Sequence, residues 1–186
     1  MEHETLLETL RHSGRVASLC LMLGTKAGNV DLLMLHICAL LHDVGKQSLP
    51  ESLIGAPRKL TPAEFECVKT HAKLGAEQIQ AMVATLEQAA DTALQHHERY
   101  GDGKGYLGLM GEEIQPMARI VGLCDVVDAL MSRRPYKEPL KLEDTLEYVR
   151  EHAGTQFDLY WADILLSCED DLREFYSKER NEQHEA

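Results

Sequence analysis

Leu40-Leu41-His42-Asp43-Val44-Gly45-Lys46 is the stretch on which the reading of this chain turns. An apolar run ends here in an adjacent histidine and aspartate, and neighbouring side chains on a helix are splayed by about 100°. Imidazole and carboxylate on one turn are near enough to ligate one cation or to share two. Burying the pair among apolar neighbours without a partner costs several kcal/mol, and a metal ion is the obvious compensation. The plainer reading of the same dipeptide is a capping aspartate beside a surface histidine. Gly45-Lys46 then supplies a sharp turn and a cation next to the site, as an enzyme acting on a phosphate needs.

Helical signals dominate on both sides of this stretch. Leu6, Leu7, Leu10, Val16, Leu19, Cys20 and Leu23 fall at helical spacing and predict a first helix that stops at Gly24. A second helix is predicted from about Asp31 to His42. Thr61-Pro62-Ala63-Glu64 is a capping box with proline at the first helical position, so a helix begins there and ends at His71. Further helices are predicted over roughly Leu74 to Val83, Gln88 to His97, Pro116 to Met131, Leu142 to Ala153 and Asp158 to Lys178. No alternating pattern is long enough to build a sheet. The expectation is an all-α fold and a single domain over 1–186, with its core in 5–165 and a C-terminal helix and polar tail in 158–186.

Other candidate ligands stand at similar places. His96-His97 precedes the glycine-rich loop Gly101 to Gly111. Asp125 is surrounded by the apolar positions Ile120, Val121, Cys124 and Val127, and a carboxylate on that stripe needs a partner. His12 follows Glu8 by four residues, which puts both on one helical face, able to converge on one ion. With His71 and the His42-Asp43 pair these make five further or paired histidines and three carboxylates spread over several helices, as helical bundles assemble multinuclear sites. His3 and His184 are terminal, and His36 and His152 read as structural or solvated. Gly103-x-Gly105-x-x-Gly108 has the form of a dinucleotide-binding fingerprint, but that motif works only between a strand and a helix, so it is rejected. The five cysteines are scattered, with no C-x-x-C pair, and read as reduced core residues.

Composition narrows the partners. The net charge is −12, with 19 Lys+Arg against 31 Asp+Glu. Such a chain repels nucleic acid and anionic lipid, so neither is an expected partner. No apolar run reaches the ~18 residues of a membrane span, and Met1-Glu2-His3-Glu4 lacks the basic flank of a signal peptide. The expected location is the cytoplasm.

Taken in order, these motifs resemble the HD-GYP family of the HD phosphohydrolase superfamily. The likeness runs from Glu8 to about Ile164. It rests on Glu8 and His12, His42-Asp43-Val-Gly-Lys46, the Lys-Leu-Thr-Pro-Ala-Glu ahead of His71, and His96-His97-Glu98-Arg99. It continues through Asp102-Gly-Lys-Gly105-Tyr106, Ala118-Arg-Ile, Asp125-Val-Val-Asp128-Ala-Leu and Arg134-Pro-Tyr-Lys137. The resemblance implies a helical HD-domain fold of about seven helices around a multinuclear metal site. It implies two or three divalent ions, usually iron or manganese, and hydrolysis of cyclic di-GMP to linear pGpG, and onward to GMP in some members.

Matched residue by residue, His12, His42, Asp43, His71, His96, His97 and Asp125 are metal ligands, Asp43 bridging two ions. Glu8 matches a ligand that goes with a third metal. Lys46 matches a residue touching the scissile phosphate, and Tyr106, Asp128, Arg134 and Lys137 fall among the implied substrate-binding positions. The expected step is in-line attack by a hydroxide bridging the two ions. Two departures stand out. Leu107 replaces the proline of Gly-Tyr-Pro, and the loop from His97 to Tyr106 is one residue longer than the family's. The family associates that loop with diguanylate cyclase partners, so Gly101 to Gly111 is the expected partner surface. Leucine there restores an N–H and frees φ, which predicts a more mobile loop. Two other readings stay open: a cyclic-dinucleotide sensor or scaffold without hydrolysis, and an HD-type hydrolase of another nucleotide.

Overall fold

The computed structural model describes residues 2–132 and 138–185, with side chains described over 7–132 and 138–179. Its α-helices are α1 (Glu2–Ala27), α2 (Leu32–Leu41), α3 (Glu51–Ile54), α4 (Pro62–Met82), α5 (Glu87–Gln95), α6 (Pro116–Met131), α7 (Leu142–His152), α8 (Leu159–Leu166) and α9 (Glu169–Glu185). Two short 3-10 turns, Val44–Ser48 and Gly111–Glu113, complete the regular structure. No strand is present among the described residues, so the all-α expectation holds.

Several helices begin where chemistry says they should. The Asp31 carboxylate accepts from the Met34 N–H at 3.0 Å and caps α2. Thr61 and Glu64 form both bonds of the capping box of α4, with Pro62 opening the helix. Gln115 caps α6 through the Ala118 N–H, ahead of Pro116.

Three helix ends differ from the sequence-based expectation. Gly24 does not end α1: the helix runs on to Ala27, while Leu32 and Leu35 of α2 lie against Gly24 and Gly28, at φ +76°, follows the helix. α4 is one continuous helix through His71, so that histidine lies mid-helix with one buried face around it. The expected helix from Asp158 to Lys178 is two, α8 and α9, parted at Ser167-Cys168, and the acidic Glu169-Asp170-Asp171 start α9, where carboxylates suit the positive end of the helix dipole.

One cluster of buried apolar side chains draws on every helix but α3. Cys20, Cys38, Cys124 and Cys168 are buried in it as free thiols, and Cys67 is half-exposed. Two glycines set the crossings that matter for the site. A Cβ at Gly45 would lie 2.0 Å from the His71 carbonyl oxygen, so only glycine lets the turn after Asp43 press against α4. A Cβ at Gly122 would lie 2.4 Å from the His96 carbonyl oxygen, which fixes how closely α6 approaches the end of α5. No helix among the described residues is long and apolar enough to cross a membrane.

Candidate metal centre

Five elements deliver side chains to one point: His12 from α1, His42 and Asp43 from the end of α2, His71 from α4, His96 and His97 from the end of α5, and Asp125 from α6. His42 and His96 are the C-caps of α2 and α5, so two helices turn their partially negative ends to the site, where a cation is favoured.

The ring orientations are fixed from behind. Nδ1 of His42 lies 2.6 Å from the Ala39 carbonyl, Nδ1 of His71 2.7 Å from Val68 O, and Nδ1 of His96 3.0 Å from Ala93 O. A carbonyl only accepts, so each Nδ1 carries a proton and each ring turns its Nε2 towards the centre. His12 uses a carboxylate for the same purpose, with Nδ1 at 2.7 Å from Asp128 Oδ2.

Asp43 stands between the rings. Its Oδ2 faces His42 Nε2 at 3.4 Å and His12 Nε2 at 3.7 Å, and its Oδ1 faces His71 Nε2 at 3.4 Å and His96 Nε2 at 3.8 Å. These gaps are too long for good hydrogen bonds. They match two ligands that share one ion at about 2.1 Å each. Two groups of donors lie on either side, His12 with His42 and Asp125, and His71 with His96 and His97. His12 Nε2, His42 Nε2, Asp43 Oδ1 and His96 Nε2 are buried without a hydrogen-bond partner. Buried polar atoms are rarely left so, and the donor set of imidazole and carboxylate is one that divalent transition metals take. The residues fit divalent cations held around Asp43.

The charge state agrees. Burial opposes ionisation of Asp43, but Lys46 and His42 outweigh it and hold the carboxyl well below its usual range; Lys46 Nζ donates directly to Asp43 Oδ2. Asp125 is likewise held ionised against its burial by His12 and His42. Burial pushes His71, His96 and His97 down, His97 to about 4, so all three are neutral at pH 7. His12 goes the other way: Asp125 and Asp128 outweigh its burial and raise it to about 9. His12 Nε2 and Asp125 Oδ1 lie 3.0 Å apart.

Tyr106 lies at the rim, its ring 4.6 Å from that of His97. Its loop is held by Glu98, whose carboxylate accepts from the Leu107 N–H at 2.7 Å and the Leu109 N–H at 2.8 Å. The N–H that leucine restores is therefore bonded, against the expectation that it loosens the loop.

Two expected site residues lie elsewhere. Glu8 does not reach the rings: its side chain is 55% exposed and its Oε1 accepts from Arg15 Nη2 at 3.1 Å. Asp128 cannot touch a substrate, being 0% exposed and bonded to His12, Arg15 and Tyr176. Arg134 and Lys137 fall in 133–137, outside the described residues. Arg15 was missed, although an arginine three residues after His12 on an apolar face called for a buried partner. No sequence signal pointed to Tyr176.

An all-helical scaffold with a His-Asp pair completed by histidines and an aspartate from other helices defines an HD-domain protein. The HD domain family signature matches residues 3–160, and the chain belongs to that family. Its relatives are of the HD-GYP type. A Thermotoga maritima protein named cyclic di-GMP phosphodiesterase is 34% identical over 180 residues, 95% of this chain and 49% of its own. A Xanthomonas campestris response regulator of the same activity name is 41% identical over 138 residues, 73% of this chain and 36% of its own. A Vibrio cholerae 3′3′-cGAMP-specific phosphodiesterase is 36% identical over 149 residues, 78% and 34% of the two chains. This chain thus spans about half the length of the first of these curated relatives and less of the others. Among solved structures, Bd1817 of Bdellovibrio bacteriovorus superposes with a TM-score of 0.69 at 24% identity, covering 86% of this chain and 51% of that one. The HD domain of Listeria monocytogenes PgpH, solved with cyclic-di-AMP, gives 0.63 at 19%, covering 90% and 91%. These two likenesses concern the fold.

Proposed function

We propose that this chain hydrolyses a phosphodiester bond of a cyclic dinucleotide, with cyclic di-GMP as substrate, at a centre of two divalent cations. The observation that carries this reading is Asp43, whose Oδ2 faces the Nε2 atoms of His12 and His42 and whose Oδ1 faces those of His71 and His96, three of these nitrogens (His12, His42 and His96) being buried without a hydrogen-bond partner. The curated relatives, named for cyclic di-GMP and for cGAMP, support the substrate class.

In this reading His12, His42 and Asp125 would hold one ion and His71, His96 and His97 the other, with Asp43 between the two groups. Iron and manganese suit this imidazole and carboxylate set. When bound, such a pair of ions supplies a water nucleophile at neutral pH and a clamp on phosphate oxygens. The chain's own residues orient and neutralise. Four rings are locked with Nε2 inward by their Nδ1 bonds. Asp43 and Asp125 stay ionised and balance the charge of the ions. Lys46 is 24% exposed, so its ammonium can turn from Asp43 to a non-bridging phosphate oxygen. Tyr106 closes the rim beside His97 and limits water there. Opening the ring leaves linear pGpG, and a second cut at the same centre leaves GMP.

The test is to load purified protein with iron under anaerobic conditions, or with manganese, and to supply cyclic di-GMP, 3′3′-cGAMP and cyclic di-AMP in parallel. Linear pGpG is expected from the first, and His42→Ala or Asp43→Ala is expected to abolish turnover. Full activity in either variant would sink the reading, and preference for 3′3′-cGAMP would move it to the substrate of the Vibrio relatives.

A further inference from the structure

Behind His12 lies a buried polar network that the proposed reaction does not use. Asp128 Oδ2 accepts from His12 Nδ1 at 2.7 Å and from Arg15 Nη2 at 3.1 Å, and its Oδ1 accepts from Arg15 Nε at 2.9 Å and from the Tyr176 hydroxyl at 3.3 Å. Both oxygens are thereby doubly satisfied, which holds the carboxylate in one orientation. Arg15 comes from α1 and Asp128 from α6, but Tyr176 comes from α9. That helix lies beyond residue 160, where the match to the HD domain family ends. It is not a loose appendage: Cys168, Leu172 and Tyr176 present a buried face at four-residue spacing and join the same core as the site helices.

We propose that Tyr176 and Asp128 are positioning residues for the metal centre, α9 fixing Asp128 and Asp128 fixing the ring of His12. The inference rests on the metal-centre reading above. Of the rings with a bonded Nδ1 around Asp43, those of His42, His71 and His96 lean on carbonyls of their own helices, three residues back. Only His12 among them leans on another element. The His12, His42 and Asp125 group is therefore the half of the centre that α9 supports, and the His71, His96 and His97 group is independent of it. Loss of a carboxylate behind a ligating histidine typically weakens metal affinity by 10–100-fold.

The test compares Tyr176→Phe and Asp128→Asn with the unmodified full chain. Each is titrated with Co²⁺ against a chromophoric chelator, and the visible absorption of bound Co²⁺ reports the ligand geometry. The expectation is two binding events in the unmodified protein. One of them is weakened roughly 10–100-fold in Asp128→Asn and about three- to tenfold in Tyr176→Phe, with an altered spectrum for that ion, and the other is unchanged. Asp128→Asn strands Arg15 and can impair folding, so Tyr176→Phe, which keeps the ring and its packing, decides the matter. Unchanged affinity and spectrum at both events in Tyr176→Phe would overturn the proposal even if the melting temperature falls, because packing alone then explains α9. If the unmodified protein binds no Co²⁺, the metal-centre reading fails and this inference with it; two events that ignore both variants overturn the inference alone.

Discussion

At position 107 a leucine donates through its backbone to Glu98, a bond that proline cannot make. Glu98 takes two such N–H groups, from Leu107 and Leu109, and so holds the loop that carries Tyr106 to His97. Glu98→Ala is expected to speed amide hydrogen exchange at Leu107 and Leu109 and to leave exchange in α6 unchanged, as mass spectrometry or NMR would report. Proton balance at the histidines gives a second prediction. His71, His96 and His97 are pushed down by burial, so the unfolded chain takes up their protons first. Stability of the metal-free protein falls as pH drops from 6.5 towards about 4, the value for His97. His12 is raised to about 9, so its contribution is full below 6.5 and is lost as pH rises through 9. Denaturant midpoints are expected to peak near neutrality, and metal uptake at pH 7 to release about one proton, from His12. Calorimetry in two buffers of different ionisation enthalpy measures that proton. The ligand types at this scale were legible because each histidine or aspartate sat on an apolar face with no nearby partner. The positions of Glu8 and Asp128 were not legible, since both depend on Arg15, whose side chain reaches across to α6.

Among the elements, most helix limits are legible to within two residues, and the misreadings fall at Gly24, at the break expected between His71 and Leu74, and between α8 and α9. Starts carry local chemistry: Asp31, Thr61 with Glu64, and Gln115 before Pro116 each satisfy their own backbone N–H groups. Thr61→Ala is expected to cost about 1 kcal/mol of stability, read from chemical denaturation. Its partner Glu64 is lowered to about 2 by Arg58 and the Thr61 backbone and side chain. The bond is thus present above the unfolded carboxylate value of 4.5 and fades as pH falls through about 2. The ends that misled depend on distant contacts. Gly24 reads as a stop on sequence grounds, but it is the place where Leu32 and Leu35 press on α1. The break between α8 and α9 contains no glycine or proline, and its one local signal was the acidic triplet from Glu169.

For the whole molecule, a net charge of −12 describes the chain without its metals. Around Asp43 two divalent ions and Lys46 would reverse the sign, which reconciles an acidic protein with an anionic substrate. Binding that favours only the folded chain stabilises it by about 2.7 kcal/mol at a hundredfold excess over Kd. For a chain of this size that is a rise in melting temperature of roughly 5–10 °C. Scanning calorimetry with manganese, then with excess chelator, checks the shift, and a chelator-insensitive melting temperature would contradict it.

The division of the centre about Asp43 also orders events in time. His71, His96 and His97, with His42 and Asp43, are all synthesised before any residue past 97. The other group waits for Asp125, and its support from Tyr176 arrives near the end of synthesis. A nascent chain therefore contains every side chain of one group, and Asp43 with them, before the last side chain of the other.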